Sequence, residues 1–236
     1  MKLSSISVQS INIIKHIRQR LSPSKKMLEK DVFVKAEVPE FKEIIFKKSL
    51  NLKEAALFAE QNFGVKNFNI NDLVCANLLN KVFTKIHNIT KGKAEFPPIV
   101  SIRNQKNVRF SGECGTCHIE VIKHPQMINT IIHEIGHYNH QKCCSDFSKM
   151  GKYQELIDDG VTDFSIYEQF KNDKQSLKLI KKHILPYATS SAAEFIACTF
   201  NSIINGKTLP KEIYELYKKY EGPFADIFIA NAMKTT

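Results

Sequence analysis

With 236 residues, 43% of them hydrophobic, the chain is long enough for one large domain with a substantial core. No apolar run approaches the roughly 18 residues of a membrane-spanning helix, which argues against a membrane span. The formal charge of +10 is spread over scattered lysines with no aromatic-interleaved basic motif, so it favours solubility and acidic partners and argues against nucleic acid.

Residues 1–28 contain Lys2, Lys15, Arg18, Arg20, Lys25 and Lys26 and no acid. Ile6, Val8, Ile11, Ile13, Ile14 and Ile17 are interleaved with Ser4, Ser5, Ser7 and Ser10. The segment has neither a continuous apolar stretch nor a small-residue cleavage site, so it does not read as a secretory signal peptide. It reads as an amphipathic helix ending near Pro23, or as a flexible or targeting segment, set apart from a single domain over 29–236. Residues 30–50 lack periodicity and suggest an extended lead-in. From Asn51 the spacing predicts a helix closed by Asn62-Phe63-Gly64. A short strand is expected at 65–70, then a helix capped by Asn71 or Asp72 and carrying Leu73, Val74, Leu78, Leu79, Val82, Phe83 and Ile86. Lys91-Gly92-Lys93 marks a loop.

Phe96-Pro97-Pro98 leads into a strand at 99–103, and 107–110 and 118–122 read as two more, flanking Ser111–Cys117. An edge strand in the stretch 107–122 would bind an extended peptide through main-chain hydrogen bonds. The six cysteines form no regular disulfide framework, which points to reduced thiols in a cytosol-like compartment. Cys114-Gly115-Thr116-Cys117-His118 matches the CxxCH of covalent haem attachment, but that chemistry needs export and a haem pocket, and neither is legible. A structural zinc on Cys114, Cys117, Cys143 and Cys144 is the more natural metal reading of these thiols.

In the run 125–138, Met127, Ile128, Ile131, Ile132 and Ile135 recur at helical spacing, and Pro125 suits a first helical turn. His133-Glu134-Ile135-Gly136-His137 lies within this helix, placing His133 and His137 one turn apart on the same side. Two imidazoles so placed can hold one Zn²⁺ at about 2.0–2.1 Å each. Glu134 beside them can take a proton from an attacking water, and this is the HExxH pattern of zinc peptidases. Beyond it, 153–170 and 174–184 look helical, Pro186 breaks the run, Tyr187–Ser191 forms a turn, and 192–204 is a helix with Phe195, Ile196, Phe200 and Ile203 inward. Leu209-Pro210 opens a last amphipathic helix containing Ile213, Leu216 and Tyr217.

A catalytic zinc needs a third protein ligand. Glu155 with Asp159 mimics the Glu-xxx-Asp helix of thermolysin-type peptidases, and Asp159-Gly160-Val161-Thr162-Asp163 looks like their Glu-Gly-x-Thr-Asp stretch with Asp for Glu. Glu194 is the other candidate. A glutamate among Ala, Phe and Ile is costly to bury without a partner, and a metal supplies one. Asp158, Asp159 or Asp163 could then orient a ligating histidine.

His-Glu-Ile-Gly-His followed at a distance by Glu194-Phe195-Ile196-Ala197-Cys198-Thr199-Phe200 resembles the catalytic domain of the anthrax lethal factor-like zinc metallopeptidases, over roughly 95–220. That resemblance implies a gluzincin-type, zincin-like α+β fold: a small mixed sheet, an HExxH helix and a mostly helical C-terminal part. It implies Zn²⁺ held by His133, His137 and Glu194, with Glu134 as general base and Tyr187 in the position of the family's functional tyrosine. Cys198 departs from the pattern, because the family commonly has a second glutamate there. The implied activity is that of a zinc-dependent endopeptidase acting on a protein or peptide substrate, in a family that includes secreted toxins and effectors. The rival reading is a non-catalytic zinc-binding interaction protein of the same fold, against which the intact Glu134 speaks.

Overall fold

The structure, a computed structural model, describes residues 41–46, 50–104, 112–143 and 165–234. The first helix, α1 (Leu52–Phe63), starts at a reciprocal cap. The Asn51 side chain accepts from the Glu54 amide, and the Glu54 carboxylate accepts from the Asn51 amide, each at 3.0 Å. It ends at Gly64, whose φ of 72° suits a residue without a Cβ. Strand β1 (Asn67–Asn69) is shorter than the expected 65–70. Helix α2 (Leu73–Ile89) begins where Asp72 accepts from the Cys75 amide at 3.0 Å. The side-chain amide of Asn80, buried inside α2, donates to the Ala55 carbonyl at 2.9 Å and ties the two helices together. Phe63, Phe83 and Phe96 close the gap, with ring centroids 5.0–5.6 Å apart.

Strands β2 (Ile99–Arg103), β3 (Gly112–Cys114) and β4 (His118–Ile122) complete a four-stranded mixed sheet of order β1-β2-β4-β3. β1, β2 and β4 run parallel, and β3 pairs antiparallel to β4 at the edge. The register aligns Phe68, Val100 and Ile119 on one face, with Ile102, Val121 and Gly112 beside them. Val100, Ile119 and Val121 are buried, as expected of the face turned to the helices. The opposite face carries Ser101, Arg103 and Glu120, where Arg103 pairs with Glu120 at 2.7 Å.

Helix α3 (Met127–Cys143) carries the HExxH pentapeptide and buries Ile131, Ile132 and Ile135 completely. Asn139 fixes it to the preceding connection: its side chain accepts from the Glu95 amide at 2.9 Å and donates to the Glu95 carbonyl at 3.0 Å. The C-terminal part is helical: α4 (Ser165–Asn172), α5 (Lys174–His183), a 3₁₀ turn (Pro186–Thr189), α6 (Ala192–Ile204), α7 (Lys211–Lys219) and α8 (Ala225–Ala232). Phe195 and Phe200 of α6 join Phe170, Tyr217, Tyr220 and Phe228 in the core.

The arrangement is a mixed α+β fold with a small mixed sheet and a mostly helical C-terminal part, the class expected from the sequence. Two expectations need correcting. Ser111–Cys117 was read as the connection between two strands, yet it contains β3 itself. Helix α8 has no counterpart in the sequence reading. The strand expected at 107–110, the N-terminal segment 1–28 and residues 153–164 of the helix expected at 153–170 lie outside the described residues. Among the described residues no helix is long and apolar enough to cross a membrane.

Candidate metal centre

The centre begins with the approach of α3 to α6, and Gly136 permits it. A Cβ at Gly136 would lie 3.1 Å from Ala197 Cα and 3.2 Å from Phe200 Cβ, so only a glycine lets the two helices close to this distance. Ser191 caps α6, accepting from the Glu194 amide at 3.1 Å, and so puts Glu194 in the first helical turn. A carboxylate is favoured there by the helix dipole. Its side chain turns to the two histidines one helix away.

His133 Nε2 and His137 Nε2 are 3.0 Å apart, with Glu194 Oε2 3.1 Å from the first and Oε1 3.4 Å from the second. Two ligands at about 2.0–2.1 Å from a tetrahedral zinc are themselves about 3.3 Å apart, so the observed spacings suit three ligands around one ion. Glu194 Oε2 is buried and makes no hydrogen bond, although His133 Nε2 lies within 3.1 Å. The two groups converge without a hydrogen aligned between them, which is how co-ligands of a shared cation approach. Among the described residues, His133, His137 and Glu194 are the only group of three or more His, Cys, Asp or Glu side chains with this convergence. The rival third ligands, Glu155 and Asp159, and the orienting acids Asp158 and Asp163 lie outside the described residues, as does Cys144.

Glu134 is 7% exposed and lies between the two histidines and the edge strand β3. A Cβ at Gly112 would stand 2.9 Å from Glu134 Oε1 and 2.6 Å from Thr130 Cγ2, so β3 can lie on α3 only because that position has no side chain. Burial raises the Glu134 carboxyl above its ordinary range. The two histidines oppose that shift, while Glu194 and Glu113 add to it. Glu194 moves the other way: burial would raise it, but the adjacent His133 and His137 outweigh burial and hold it well below the usual carboxylate range.

Tyr187, in the 3₁₀ turn, is 57% exposed, with its ring centroid 6.4 Å from that of His133. Partial burial of the phenol and the negative charge of Glu194 push it up to about 12, so it keeps its proton at neutral pH. All five residues singled out in the sequence therefore gather at one place. One contributor was missed, and one residue read only as a departure from the family pattern also takes part. Gly112 gives no signal without knowledge of what packs on it. Cys198 lies one turn after Glu194 and brings Sγ to 3.7 Å from His133 Nδ1. Burial pushes its thiol up to about 12. Among the described residues, Cys114 and Cys117 join no metal-ligand cluster.

No known protein family, curated protein or solved structure matches the chain.

Proposed function

We propose that the protein is a zinc-dependent endopeptidase of zincin-like, gluzincin-type architecture, related to the anthrax lethal factor-like peptidases. The observation that carries this reading is the convergence of His133, His137 and Glu194 on one point, with Glu134 buried beside them on the same helix. The donor set of two imidazoles and a carboxylate is that of a catalytic zinc site with a position left for water. Zinc held there would act as a Lewis acid, lowering the pKa of a water and polarising the scissile carbonyl. The antiparallel edge strand β3, lying on the HExxH helix, fits the same architecture.

The side chains divide the work. Glu134 takes the proton of the attacking water and passes it to the leaving amine. Its burial keeps the carboxyl basic enough for that exchange. Tyr187 donates its phenolic hydrogen to the oxyanion that develops on the carbonyl oxygen, at the open rim where a substrate reaches it. The free edge of β3, among the described residues, offers main-chain groups to an extended peptide, consistent with binding in the stretch 107–122, of which 105–111 lies outside the described residues.

Glu134→Gln separates this reading from that of a zinc-binding protein without activity. The substitution keeps volume and leaves the three ligands intact. Hydrolysis of an unfolded protein substrate should fall by about 10²–10⁴-fold while zinc content stays at one per chain. Full activity in Glu134→Gln would refute the mechanism, and a wild type that holds zinc but cleaves no member of a broad peptide library would favour the interaction protein.

A further inference from the structure

We infer that Cys198 is the positioning residue for His133, a thiol doing what a carboxylate or carbonyl usually does behind a ligating histidine. The inference rests on the zinc reading of the site. Cys198 Sγ lies 3.7 Å from His133 Nδ1, within hydrogen-bonding reach of sulfur. The other ring nitrogen, Nε2, is the one that approaches His137 and Glu194. The thiol is therefore behind the imidazole, on the side away from the converging ligand atoms. This matters because zinc accepts thiolate readily, and a cysteine so near could be mistaken for a fourth ligand. The described ligand cluster contains His133, His137 and Glu194 without it.

A neutral histidine that gives its Nε2 lone pair to a metal carries its proton on Nδ1. That proton needs an acceptor, and Cys198 Sγ is the one partner of His133 Nδ1 among the described residues. The placement follows from the helix: Cys198 is four residues after Glu194 on α6, so both face α3, and Cys198 is only 4% exposed. The same close approach over Gly136 that delivers Glu194 to Nε2 thus delivers the thiol to Nδ1. Sulfur accepts a hydrogen bond weakly. It orients His133 and selects the tautomer with less force than a carboxylate would, so the effect of its removal falls at the low end of the range for such partners.

The test compares the full-length wild type with Cys198→Ala and Cys198→Ser. Zinc affinity is measured by chelator competition, and the exchange rate of the His133 Nδ1 proton by NMR on the zinc-loaded proteins. Cys198→Ala should bind zinc about 10-fold more weakly and exchange that proton faster, with an unchanged circular dichroism spectrum. Cys198→Ser, whose hydroxyl also accepts a hydrogen bond, should recover most of both losses and serves as the folding control if the alanine variant is unstable. Wild-type zinc affinity in Cys198→Ala, or equal losses in the two variants, would overturn the inference and leave the zinc site standing. A wild type that binds no zinc would overturn the zinc reading itself and this inference with it.

Discussion

Glu194 and Glu134 lie in one cluster, yet their surroundings move them in opposite directions. Histidine contacts win over burial at Glu194, and burial wins over the histidines at Glu134. Environments that split two carboxyls in this way assign one to charge and the other to proton transfer. The signs give a pH prediction. The base must be ionised, so kcat/KM should rise with pH through an apparent pKa above the ordinary 4.5 of a glutamate. Glu194, depressed below 4.5, contributes stability that is present above that pH and lost as pH falls below it. Activity should therefore fail at higher pH than the fold does, as a rate profile and melting curves over about pH 3–8 would show; an acid limb of activity below 4.5 would remove Glu134 from the role. Tyr187 gives a second prediction at this scale. Tyr187→Phe keeps the exposed ring and removes only the donor, so kcat should fall by about 10²-fold with little change in KM.

Helices α3 and α6 make the centre between them, and the contact at Gly136 is its most sensitive point. Alanine in place of a helical glycine is ordinarily worth about 1 kcal/mol of added stability. Here the new methyl would meet Ala197 and Phe200 at 3.1–3.2 Å, and such overpacking costs about 1–3 kcal/mol. Gly136→Ala should therefore lower the melting temperature and, by pushing Glu194 away from the histidines, weaken zinc binding together with it; a more stable variant with normal zinc affinity would show that the helices are not in close contact.

The elements that position the centre differ in how plainly they were written. α6, β2 and β4 occupy the spans expected, because caps, Pro residues and clean hydrophobic patterns bound them. β3 was not legible: Gly-Glu-Cys has no strand character of its own, and it is a strand because β4 pairs with it and α3 accepts Gly112. α8 escaped notice because Ala225–Ala232 has no side-chain cap and follows Phe224 at a φ of 61°.

Across the molecule, the two histidines and Glu134 were legible because one helix writes them in consecutive turns. The proposed third ligand was not, because spacing along the chain left Glu155, Asp159 and Glu194 open. Tertiary packing brings Glu194 to the histidines, and the same packing holds the β3 edge of the sheet against α3 at Thr130 and Glu134. The centre thus lies between the parts of the fold rather than within any one of them, and sequence periodicity describes each part alone. The most direct test is a crystal structure of the full-length protein grown with zinc, with anomalous data on both sides of the zinc absorption edge. The expected result is a single strong peak at about 2.0–2.2 Å from His133 Nε2, His137 Nε2 and a Glu194 carboxylate oxygen. A peak bound to Glu155 or Asp159 in place of Glu194, or no zinc between the histidines, would contradict the account.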